Sequence, residues 1–209
     1  MADSMSRPRI VVILGLILGT IALGVSLHIP PGNDWFYPAT LMLAALWTLV
    51  ALASGQLRLD RAAERPRRAL WTLVGLAVGA GLGLVFVVGG LIVRLIPGLD
   101  DYVASVLDYA DRGNLPLVTV VTLVSGIAEE LFFRGALYGC LERHPVAIST
   151  AVYAVVTAAT GNVMLVFAAL VLGLVTAVER RVTGGVLASA ATHAVWAMAM
   201  LYALPPLFS

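Results

Sequence analysis

Seven apolar runs, at about residues 10–29, 35–54, 70–96, 115–140, 145–160, 162–178 and 184–204, take up most of this 209-residue chain. A helix of about 20 apolar residues matches the hydrocarbon thickness of a bilayer. The fifth and sixth runs are short for that length, so the pattern allows six to eight spans. Composition agrees: 60% of residues are hydrophobic and 12% charged, with a mean hydropathy of +0.97, outside the range of a soluble domain. The expected fold is all-α, a polytopic membrane bundle of about seven helices forming one domain over residues 1–209. The first run exceeds a signal-peptide core and lacks a small-residue cleavage site before His28 and Pro30, which predicts a retained anchor.

Charge placement sets an expected orientation. All thirteen basic residues are arginines. Arg7 and Arg9 precede the first run, Arg58, Arg61, Arg65, Arg67 and Arg68 separate the second and third, and Arg143, Arg180 and Arg181 are read into two later turns. The other side receives the HIPPGND turn and an acidic loop, GLDDYVASVLDYADRGN. The positive-inside bias then places the amino terminus in the cytoplasm of a multi-pass protein of the cell membrane. The single cysteine, Cys140, excludes an internal disulfide and a multi-thiolate metal site. Nothing in the chain points to nucleic acid; the bilayer is the expected surrounding. Gly75, Gly79 and Gly83, and separately Gly15 and Gly19, recur every four residues, a spacing that lets helix backbones pack closely within the bundle.

Ionisable groups inside an apolar run are costly, and they mark partners or sites. The fourth run contains SGIAEELFFRG, residues 125–135. Glu130 and Arg134 are four apart and stand one above the other, able to neutralise each other. Glu129 is rotated by about 100° from Glu130 and shares its face with Thr122, Ser125 and Gly126, a stripe suited to a cavity wall. On the last run Ser189, Thr192, His193 and Trp196 share a face, and on the fifth Ser149, Tyr153 and Thr157 do. Counted from the expected cytoplasmic ends, Glu129 lies about 11 residues in, Thr157 about 12 and His193 about 9, a depth of roughly 14–18 Å at 1.5 Å per residue. The three polar faces are expected to meet at one level.

The segment EELFFR matches the EExxxR motif of the CAAX prenyl protease and bacteriocin-processing family of intramembrane proteases, also called the Abi family. The stretch VLGLVTAVERRVTGGVLASAATHAVWA resembles that family's final block, so the likeness covers residues 115–200. The resemblance implies a helical bundle around a water-accessible chamber. It implies Glu129 as the base that activates water, Glu130 and Arg134 as its support, and His193 as the final-block histidine. A membrane-embedded or lipid-attached peptide or protein is the implied substrate or partner. A divalent metal such as zinc is an implied cofactor, with Glu129 and His193 as its ligands if one binds. The chain departs from the family twice: Tyr153 and Thr157 stand where the FxxxH motif has Phe and His, and Ala197 stands where HxxxN has Asn.

Three functions follow from these residues. One is an endopeptidase with a reduced site, in which Thr157 stands in the place of a histidine. Another is a non-catalytic relative that keeps the chamber to bind or shield a membrane partner. The third is a small transporter or proton relay built on Glu129, Glu130 and His193, weakened by the lack of an inverted repeat between the two halves.

Overall fold

A computed structural model describes residues 6–59 and 65–208, with only the backbone at 65–67. The topology arginine Arg61 lies outside the described residues, as do the side chains of Arg65 and Arg67. The described chain is all-helical: α1 (Arg7–Leu27), α2 (Phe36–Ala53), α3 (Arg65–Val93), α4 (Leu99–Arg112), α5 (Leu115–Glu130), α6 (Tyr138–Cys140), α7 (Pro145–Thr157), α8 (Val163–Thr183), α9 (Leu187–Ala203) and α10 (Pro205–Phe208). A π-helical segment, Leu131–Leu137, joins α5 to α6 into one apolar rod, Leu115–Cys140. Five helices are long and apolar enough to cross a membrane, and two shorter apolar ones, Pro145–Thr160 and Leu187–Ala203, complete the set of seven. The protein is a multi-pass membrane protein. Its outer faces carry Ile17, Ile21, Leu49, Leu84 and Leu174, all exposed, as a lipid-facing surface requires.

Packing between the spans rests on the glycines. A Cβ on Gly75 would enter the Ala188 carbonyl, one on Gly79 the Thr192 carbonyl and one on Gly83 the Ala199 methyl. The four-residue stripe is therefore the seam on which α3 lies against α9. Gly15 and Gly19 do the same for α1 against Val50 and Trp47 of α2. Trp47, itself buried, stacks on Phe132 and Phe133 at centroid distances of 4.2 and 5.4 Å, which seats the α2 aromatic against the π-helical segment.

Two sequence expectations need correction. The acidic stretch read as a loop is largely the helix α4. Asp100 and Asp101 lie in its first turn and Arg112 in its last, each favourable to the helix dipole. Tyr109 donates its one phenol proton to the Ile29 carbonyl at 2.6 Å, with the Leu27 carbonyl also within reach at 3.0 Å. Burial pushes its phenol above the usual tyrosine value, so it remains a donor. The second correction concerns Arg180 and Arg181, which belong to the last turn of α8 rather than to a loop. Arg180 is buried, and its Nε donates to the Arg134 carbonyl at 2.7 Å. The helix continues through these charges because the neighbouring π-helical segment offers an acceptor.

Candidate active site

The site is built from α5, the π-helical segment, α7 and α9. α5 starts where the Asn114 side chain accepts from the Leu117 N–H and runs to Glu130, after which the backbone widens over Leu131–Leu137. Widened turns of this kind are frequent at functional sites. Here the turn brings Arg134 against α8, where Gly173 leaves room: a Cβ there would lie 3.2 Å from Arg134 Nη2 and 3.1 Å from Tyr153.

Glu130 and Arg134 are both fully buried, with Arg134 Nη1 at 3.2 Å from Glu130 Oε1. The pair is close without being aligned for a hydrogen bond, since the guanidinium nitrogens and Glu130 Oε2 all lack a hydrogen-bond partner. The guanidinium instead lies 4.7 Å from the Tyr153 ring centre and 5.9 Å from that of Phe133, within range of a cation–π attraction. The same Glu130 Oε1 meets His193 Nδ1 at 3.0 Å. A carboxylate beside an arginine accepts, so Nδ1 carries the proton and Nε2 is the ring's remaining functional atom. Gly126 makes this approach possible, because a Cβ there would stand 3.0 Å from His193 Cδ2 and 3.2 Å from Nε2.

Glu129 faces a different partner. Tyr153 Oη of α7 donates to Glu129 Oε2 at 2.6 Å, and Glu129 is only half-buried. The carboxylate that lacks a counter-ion on its own helix is thus held by a phenol from the next. Thr157, one turn further along α7, is buried and donates its hydroxyl to the Tyr153 carbonyl at 2.9 Å. Ala197, one turn beyond His193, is buried and contributes no donor.

Four of the five residues singled out from the sequence therefore fall into two linked groups, Glu130 with Arg134 and His193, and Glu129 with Tyr153. These contacts join α5, α7 and α9 at one level. Sequence reasoning missed Tyr153 as the holder of Glu129, although its phenol on the polar face of α7 was the available signal. It also missed Glu179, whose Oε1 lies 2.7 Å from Thr192 Oγ1, the residue before His193.

Residues 111–199 match the family model described as Type II CAAX prenyl endopeptidase Rce1-like. This segment is an Rce1-like domain. No curated protein and no solved structure matches the chain. The Rce1-like domain begins in the last turns of α4 and ends within α9, so it contains every residue of the site.

The side chains that could bind a catalytic metal are few. His193 commits Nδ1 to Glu130, which leaves Nε2 and the Glu129 carboxylate. Among the described residues no group of three or more His, Cys, Asp or Glu is placed to hold a metal. Catalytic zinc sites usually draw on three protein ligands. The described residues do not fit a tightly held zinc.

Proposed function

We propose that the chain is an intramembrane endopeptidase that hydrolyses a membrane-associated peptide or protein, with water activated by Glu129. The observation that carries this reading is the half-buried Glu129 held at 2.6 Å by Tyr153 beside the buried Arg134, Glu130 and His193 group. A structural ion pair has no need of a second carboxylate at the same depth. Glu129 takes a proton from water as the hydroxide oxygen bonds to the scissile carbonyl carbon, and returns it to the amine when the C–N bond breaks. His193, with Nδ1 fixed on Glu130, is the side chain placed to meet the oxyanion. Arg134, 3.2 Å from Glu130 Oε1, holds that carboxylate in place. Substrate meets the site from within the bilayer, and the arginine-bearing turns face the cytoplasm.

A second reading is a non-catalytic relative that binds a membrane peptide in the chamber. It is favoured by the hydroxyl of Thr157, which is spent on its own helix, and by Ala197, which offers no donor. Loss of one oxyanion donor alone can slow hydrolysis by about 100- to 1000-fold. The two readings part when protein amino termini are compared in membranes of cells that make the natural chain and cells that make Glu129→Ala at matched levels. Termini that vanish with Glu129 support the peptidase. Identical sets of termini, with the variant still folded, support the binding protein.

A further inference from the structure

Glu179 sits on α8 outside the groups described above, 9% exposed, and its Oε2 is buried with no hydrogen-bond partner among the described residues. Its Oε1 lies 2.7 Å from Thr192 Oγ1, and the same hydroxyl lies 2.9 Å from the Gly75 carbonyl oxygen. A hydroxyl has one proton, and a backbone carbonyl can only accept. If Thr192 gives its proton to Gly75, the shorter contact needs a proton from Glu179. Arg180, next in sequence, is directed to the Arg134 carbonyl and lies over the Tyr138 ring at 5.1 Å.

We propose that Glu179 is held as a neutral carboxylic acid, donating to Thr192 while Thr192 donates to Gly75, and that this chain positions His193. Each of the two protons then has its own acceptor, and the buried Oε2, still without a hydrogen-bond partner, carries no charge. The chain closes three helices on one hydroxyl: α8 through Glu179, α9 through Thr192 and α3 through Gly75. A second bond, Ser189 Oγ to the Thr176 carbonyl at 2.9 Å, lies one turn away and fixes the register of α8 against α9. Thr192 immediately precedes His193, so the rotation that seats Thr192 on Gly75 also turns the imidazole toward Glu130. Glu179 is in this sense a positioning residue. The assignment concerns the resting protein and stands or falls independently of whether the chain cleaves anything.

The test is infrared spectroscopy of the full chain in lipid at neutral pH, with carbon-13 glutamate to mark glutamate bands. The wild type should show a protonated glutamate carbonyl band that Glu179→Gln removes and that Thr192→Val moves to higher frequency as its hydrogen bond is lost. A spectrum with no protonated glutamate, a band that survives Glu179→Gln, or one unmoved by Thr192→Val overturns the assignment. If Glu179→Gln fails to fold, the wild type and Thr192→Val decide. The positioning role is read from nitrogen-15 signals of His193. Glu179→Ala should abolish the signature of an Nδ1–H bonded to Glu130, and Glu179→Gln, which can still donate, should restore it. Signals unchanged in Glu179→Ala would overturn that role while leaving the protonation result intact.

Discussion

Glu130 has no exposed surface, and at bilayer depth a carboxyl group needs a fixed partner beside it. Arg134 and His193 share its Oε1, so one oxygen anchors both the π-helical segment and α9. Removing one member of a buried pair strands the other, at a cost of about 3–5 kcal/mol. Arg134→Met, which keeps the bulk of the side chain, should therefore lower the melting temperature in detergent clearly; an unchanged value would mean that the pair does not hold the bundle. Tyr153→Phe separates stability from chemistry, because the ring over Arg134 stays and only the phenol oxygen is lost. A hydrogen bond to a charged group contributes about 1.5–3 kcal/mol, which is about 10- to 100-fold in rate when expressed in the transition state. Cleavage measured by new amino termini should fall by that factor, with melting lowered by no more than the one lost hydrogen bond accounts for, and full activity would show that the phenol does not orient the base. At this scale the sequence placed Glu129, Thr157 and His193 at one depth, whereas the contacts run from Tyr153, one turn before Thr157, to Glu129 and from His193 to Glu130, with the Thr157 hydroxyl bonded within its own helix. It could not assign partners. Glu129 and Glu130 are adjacent, and only the packing of α7 and α9 decides that Tyr153 reaches the first and His193 the second.

Helix limits follow the apolar runs closely because hydropathy is a property of the chain itself. The run at 35–54 becomes Phe36–Ala53, and that at 184–204 becomes Leu187–Ala203 after a Gly184–Gly185 turn. Where limits failed, the cause was tertiary. The run ending at 178 stops at Glu179 in hydropathy, but α8 continues to Thr183 since Thr192 and the Arg134 carbonyl receive its charged side chains. The π-helical segment has no signature in periodicity, and α4 mixes apolar and acidic residues as an amphipathic helix must. The glycine stripe was legible as bundle packing, and it carries a sharp prediction. Gly75→Ala puts a methyl into the Ala188 carbonyl, a backbone atom that cannot turn aside. Overpacking of this kind costs about 1–3 kcal/mol, and the same methyl would disturb the Gly75 contact with Thr192. Thermal unfolding in detergent should show a clear loss for Gly75→Ala and none for Gly81→Ala, where no atom lies within 4 Å of an added Cβ. Equal effects would place the α3 and α9 seam elsewhere.

For the whole molecule, the contacts fix which turns share an end of the bundle. Arg9 pairs with Glu142, so the start of α1 lies beside the turn after Cys140. The Arg58 carbonyl accepts from Val186 N–H at 3.1 Å, so the segment after α2 lies beside the turn between α8 and α9. At the other end Tyr109 binds the carbonyls closing α1, and Asn162 Nδ2 donates to the Tyr102 carbonyl at 2.7 Å. The described arginine-bearing segments thus gather at one end and the acidic helix α4 at the other, and the positive-inside bias predicts that the arginine end faces the cytoplasm. The lone thiol Cys140, partly exposed near the arginine end, reports that sense without engineering. In intact cells a membrane-impermeant maleimide should leave Cys140 unlabelled, and in inverted membrane vesicles it should label it. Asp101→Cys in a Cys140→Ala background, on the exposed face of α4, should give the opposite pattern. Labelling of Cys140 from outside the cell would invert the bundle, put the arginine turns on the far side of the membrane, and require any substrate chain to approach Glu129 from the opposite face.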